Sequence, residues 1–87
     1  MPYTVTRFQE TPNPNALKCV LDRPIPDAPR SYFNAGEAQA DPLAARLFAI
    51  PNVTNILIGG EWITVSKSGK GDWKTIRKEV ERALGEA

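Results

Sequence analysis

Apolar and polar positions alternate with a period of two in several short stretches of this chain and with a helical period in two others. Tyr3 to Phe8 (YTVTRF) is rich in β-branched and aromatic residues, with Tyr3 and Val5 on one face, which predicts a first strand. Thr11, Pro12, Asn13, Pro14 and Asn15 then interrupt it. Each proline removes a backbone donor and biases its predecessor toward extended structure, and asparagine tolerates turn geometry, so an ordered connection is expected. In Ala16 to Leu21, the residues Leu17, Cys19 and Leu21 alternate with Lys18 and Val20, which predicts a second strand with Cys19 pointing inward. Residues 22 to 40 hold Pro24, Pro26, Pro29 and Gly36, which argue against a continuous helix, with Ser31 to Phe33 as a candidate short strand.

Asp41 followed by Pro42 is a helix start: the carboxylate accepts from an orphan amide, and proline at the first helical position loses nothing. Leu43, Leu47 and Ile50 share one side, Phe48 broadens it, and Pro51 ends the helix. Val53 to Ile58 and Trp62 to Ser66 read as strands joined by Gly59, Gly60 and Glu61, a hairpin in which the glycines supply positive φ. Ser68 to Gly71 is a polar turn. Asp72 caps a last helix with the apolar stripe Trp73, Ile76, Val80, Ala83 and Leu84. The order strand, strand, helix, strand, strand, helix gives an α+β fold, a mostly antiparallel sheet covered by two helices.

The chain has 87 residues, 41% apolar and 24% charged, which fits one folded domain over residues 1–87. A chain this short buries only about 60–65% of its unfolded surface, so contacts from a homodimer or a second protein would add to its stability. Eleven basic and ten acidic residues leave a net charge of +1, with no general drive toward nucleic acid or an anionic membrane. Cys19 is the only cysteine and cannot close an internal disulfide. No basic stretch followed by an apolar run opens the chain, and no apolar segment approaches the roughly 20 residues that span a bilayer. A soluble, cytoplasmic protein is expected.

With no histidine, neither a Ser-His nor a Cys-His pair can be built. The acids fall among expected loops, caps and helix surfaces, so no catalytic residue is assigned. Iron-sulfur clusters and structural zinc usually take four ligands, against one sulfur here, so no metal site or cofactor is assigned. The Ser66 to Gly71 run lacks the full spacing of a phosphate-binding loop. Lys67, Lys70, Lys74, Arg77, Lys78 and Arg82 outnumber Asp72, Glu79 and Glu81 locally, a solvated helix face or a weakly basic docking face.

Thr11-Pro12-Asn13-Pro14-Asn15-Ala16-Leu17-Lys18 resembles the opening motif of the N-terminal domain of the Nfu/NifU-like iron-sulfur scaffold proteins. Asp41-Pro42-Leu43-Ala44 with Leu47, Phe48 and Ile50 is similar to that family's Pro-Leu-Ala helix. Val53, Ile56, Trp62-Ile63-Thr64-Val65 and Lys67 resemble its hairpin, and Asp72-Trp73 its final helix start. The resemblance covers roughly residues 3 to 85. It implies an α+β accessory domain acting in iron-sulfur cluster assembly or delivery, with iron-sulfur scaffold, carrier or recipient proteins as partners. It further implies that the cluster-binding Cys-x-x-Cys motif belongs to a separate C-terminal domain, which is not expected within this sequence. Thr11, Asn13, Asn15 and Lys18 are the candidate partner surface, since loops on a rigid sheet often carry recognition. The alternative class is an iron or small-ligand carrier binding at a dimer seam through Cys19.

Overall fold

The computed structural model describes residues 3–25 and 29–86. Strands β1 (Val5–Glu10), β2 (Ala16–Leu21), β3 (Arg30–Tyr32), β4 (Val53–Ile58) and β5 (Trp62–Lys67) form one sheet in the order β1-β2-β5-β4-β3. Every neighbouring pair is antiparallel. Helices α1 (Ala35–Ala38) and α2 (Pro42–Phe48) lie between β3 and β4 in sequence, and α3 (Trp73–Gly85) ends the described chain.

The α+β class and the antiparallel sheet agree with expectation, while the element order gains a strand and a helix. The strand expected over Ser31 to Phe33 forms one residue earlier, where Tyr32 pairs with Ile56 and Arg30 with Ile58. The added helix α1 is a single turn. Asn34 Oδ1 accepts from the Glu37 amide at 2.8 Å, and Glu37 Oε1 accepts from the Phe33 amide at 2.9 Å. These two bonds satisfy one orphan amide of the helix and the amide of the residue before its cap, and hold a turn that Gly36 alone would disfavour. Pro26, one of the prolines expected to interrupt this stretch, lies outside the described residues.

The first strand is displaced by two residues from its expected span. Tyr3 donates its amide to the Leu84 carbonyl at 2.9 Å, tying the chain's start to α3, while pairing with β2 continues to Glu10 opposite Leu17. The sequence extra at Thr6 makes a bulge, and Thr6 Oγ1 donates to the Val20 carbonyl at 3.2 Å.

The hairpin between β4 and β5 forms as expected, but its glycines do a different job. Among the described residues no glycine has a positive φ. The Trp62 indole lies across Gly59, where any Cβ would overlap the ring. Among the described residues Asn52 alone is left-handed, at φ 70° after α2, with its carbonyl accepting from the Ser68 amide at 2.8 Å.

Both longer helices begin as anticipated. Asp41 Oδ1 accepts from the amides of Leu43 (3.1 Å) and Ala44 (3.3 Å), and Asp72 Oδ1 from that of Lys74 (3.1 Å). From the sheet, Cys19, Leu21, Ile56, Ile58, Ile63 and Val65 meet Ala38, Ala44, Leu47, Ile76, Val80 and Leu84 from the helices in one core. On α2 the inward side is Ala44 and Leu47, with Leu43 and Phe48 only half-buried. Among the described residues, all the helices therefore lie on one side of the sheet, and no helix covers the alternate strand positions on the other side.

Candidate protein-interaction site

The connection from β1 to β2 is built by short polar side chains bonding their own backbone. Thr11 Oγ1 lies 2.9 Å from the Asn13 carbonyl and 3.0 Å from that of Ala16, sharing its proton between them, and accepts from the Asn13 amide at 3.2 Å. Asn13 Oδ1 accepts from the Asn15 amide at 2.9 Å, and Ala16 donates to the Asn13 carbonyl at 3.0 Å. These local bonds are those that give Thr and Asn their preference for turns.

Two distant elements then pin the loop. Trp73 Nε1, at the start of α3, donates to the Pro14 carbonyl at 3.1 Å. Lys67, at the end of β5, donates from Nζ to Asn15 Oδ1 at 3.2 Å and from its amide to the Asn15 carbonyl at 2.8 Å. Lys67 Nζ also stands 5.5 Å from the centroid of the Trp73 ring, a cation–π distance. Beside these contacts is a pocket of about 280 Å³ bordered by Glu10, Thr11, Pro12, Asn13, Trp73 and Arg77. The Arg77 guanidinium covers the Phe8 ring at 5.2 Å.

Of the four residues expected to form a contact surface, the structure brings Thr11, Asn13 and Asn15 together and sets Lys18 apart. Lys18 follows inward-facing Leu17, so alternation turns it to the open side of the sheet, where its Nζ lies 4.9 Å from the Trp62 ring centroid. Sequence reasoning missed both pins, because Trp73 is 59 residues from Pro14 and no local pattern encodes that meeting.

Cys19 is 1% exposed, and burial pushes its thiol up to about 12 despite the opposing pull of Arg77, with Glu81 adding to the rise. A thiol that keeps its proton is a poor metal ligand. Its burial beneath the helices also keeps Cys19 from the surface at which a dimer seam would form. Among the described residues, no group of three or more His, Cys, Asp or Glu is placed to hold a metal ion.

One acid departs from the expected solvated positions. Asp41 is buried at 6% exposure, with Arg30 Nη1 at 2.6 Å and the Tyr32 hydroxyl donating to it at 2.8 Å, in addition to the two helix amides it caps. Tyr32's phenol is raised chiefly because it donates to this carboxylate, and ionising it would set two negative groups together. The Asp41-Pro42 pair revealed the cap, but the Arg30 and Tyr32 contacts arise only when β3 docks. This cluster ties β3 to α2 with its carboxylate fully engaged.

A family model described as "Scaffold protein Nfu/NifU N terminal" matches residues 5–87. The chain belongs to the Nfu/NifU N-terminal family. Among curated proteins, this Nfu/NifU N-terminal chain is 38% identical over 74 residues to the "NFU1 iron-sulfur cluster scaffold homolog, mitochondrial" of Drosophila virilis, covering 83% of this chain and 25% of that protein. It is 40% identical over 77 residues to a NifU-like protein of Schizosaccharomyces pombe, covering 85% of this chain and 30% of that one. The chain thus spans about a quarter to a third of the length of these relatives. A NifU-like protein of Saccharomyces cerevisiae solved in solution shares the fold, with a TM-score of 0.79 at 24% identity over 95% of this chain and 77% of that one. No helix among the described residues is long and apolar enough to cross a membrane.

Proposed function

We propose that this Nfu/NifU N-terminal chain is a single non-catalytic interaction domain over residues 1–87, acting in iron-sulfur cluster assembly or delivery by docking a scaffold, carrier or recipient protein. Membership of a scaffold family supports the pathway. The observation that carries the docking role is the pinned 11–15 loop. Its backbone is fixed by Trp73 and Lys67, so Asn13 and Asn15 meet a partner with little further ordering cost. Absence of histidine from the sequence, together with the engaged Asp41 carboxylate, supports a non-catalytic role. The compartment we propose is the cytoplasm, supported by a lone free cysteine that is buried. The mitochondrial label in one relative's name belongs to that protein.

Affinity purification from the native host, comparing the wild type with an Asn13→Ala, Asn15→Ala double variant, tests both parts. The expected result is recovery of iron-sulfur assembly proteins by the wild type and a loss of about tenfold in their recovery with the variant, equivalent to ~1.4 kcal/mol. Equal recovery removes the loop from the mechanism. Recovery of an unrelated set of proteins overturns the pathway.

A further inference from the structure

The side of the sheet without helices is not evenly polar. In one row across the strands, Gln9 faces Lys18, Lys18 faces Thr64, Thr64 faces Leu57 and Leu57 faces Ser31. In the next row, Arg7 faces Val20 and Val20 faces Trp62. Val20 and Trp62 are half-buried within the chain, and Leu57 is 41% exposed. The centre of this face is therefore apolar, with Trp62, Val20 and Leu57 bordered by threonine and serine.

Its charges have one sign. The charged residues at these outward strand positions are Arg7 and Lys18, and among the described residues neither enters an ion pair. Lys18 instead lies over the Trp62 ring. Of the carboxylates nearest in sequence, Glu10 pairs with inward-facing Leu17 and so belongs to the other side of the sheet, while Asp22 and Glu61 sit in the turns at one end, where Leu21 donates to the Glu61 carbonyl at 2.8 Å and Asp22 is already paired with Arg23 at 3.3 Å.

We propose that this face is a second docking surface, and that it receives an acidic protein segment carrying aliphatic or aromatic side chains between its carboxylates. Such a segment would cover Trp62, Val20 and Leu57 while its carboxylates met Arg7 and Lys18, an aromatic anchor bordered by complementary charge. A second copy of the chain is a poorer occupant, since face-to-face contact would bring together two cations from each copy with no outward strand carboxylate between them. The inference does not depend on the partner's pathway or on the 11–15 loop, which lies at the strand ends.

The test is a titration of the isotope-labelled chain, followed by amide and indole resonances, with two blocked peptides of equal length. One alternates glutamate with leucine and the other lysine with leucine. The glutamate peptide is expected to shift the amides of Lys18, Val20, Leu57, Trp62 and Thr64 and the Trp62 indole, leaving the Trp73 indole in place. An Arg7→Glu, Lys18→Glu variant, shown by its own spectrum to be folded, is expected to bind it at least about tenfold more weakly. Equal binding of the two peptides overturns the proposal. So does an absence of shifts, or a set of shifts centred on Lys74 and Lys78 of α3, because the acidic segment would then be choosing another basic surface. None of these outcomes alters the recovery expected from the Asn13 and Asn15 variant.

Discussion

Among the described residues, Cys19 and Asp41 are the ionisable side chains that are buried, and their surroundings differ. Asp41 is met on every side by partners, the Arg30 guanidinium, the Tyr32 hydroxyl and two helix amides. Cys19 keeps its proton, because burial raises the thiol from an ordinary 9.0 to about 12. An unfolded chain releases that proton near 9, whereas the folded chain holds it until about 12. The unfolded state thus binds fewer protons in this window, and stability falls as pH rises through it by roughly 1.4 kcal/mol per unit. Below pH 9 this loss is absent. Wild type is therefore expected to lose about 2 kcal/mol more than Cys19→Ala between about pH 8 and 10.5, read from urea midpoints. Lysine and tyrosine titrations are common to both proteins and cancel in the difference. Equal losses would mean that the thiol ionises in the folded state as freely as in the unfolded one.

At the scale of elements, the β4–β5 hairpin shows what a sequence carries and what it withholds. Alternation on both strands with Gly59 and Gly60 between them was enough to find it. The reason for Gly59 was not legible: it depends on Trp62 folding its indole back across the turn, a contact fixed only once Gly59 and Trp62 pair. Gly59→Ala is expected to cost about 1–3 kcal/mol, because the added methyl forces the ring aside. In a Trp62→Ala background the same change should cost less than about 0.5 kcal/mol, a coupling that a double-mutant cycle from chemical denaturation would expose. Equal costs in the two backgrounds would return the explanation to backbone conformation. Helix α1 was missed for a different reason. Gly36 and the neighbouring prolines argue against a helix in a stretch too short to show periodicity, and the Asn34 and Glu37 bonds that hold the turn did not enter that expectation. The strand beside it slipped by one residue because its register comes from Ile56 and Ile58 of β4, not from its own three residues.

For the molecule as a whole, the two-layer arrangement was readable from amphipathic stripes and alternating strands, since each needs one apolar covering and has one. The candidate site was readable in part: Thr11, Asn13 and Asn15 form turns by local chemistry, and alternation already separates Lys18 from them. The Trp73 pin follows from packing the start of α3 against the loop, the Lys67 pin from pairing β5 with β2, and neither has a local signature. A single core on one side of the sheet also makes two leucines ten residues apart energetically unlike. Leu47 is fully enclosed between α2 and the sheet, so Leu47→Ala leaves a cavity and is expected to cost about 2–5 kcal/mol. Leu57 lies on the opposite side, beside Thr64, and Leu57→Ala should stay within about 0.5–1 kcal/mol of wild type. Urea denaturation of both variants checks the contrast. A cost at Leu57 approaching that at Leu47 would show that a second layer, such as another copy of the chain, already covers the face in solution. The loss would then deepen with protein concentration, because the covering contact would itself obey mass action.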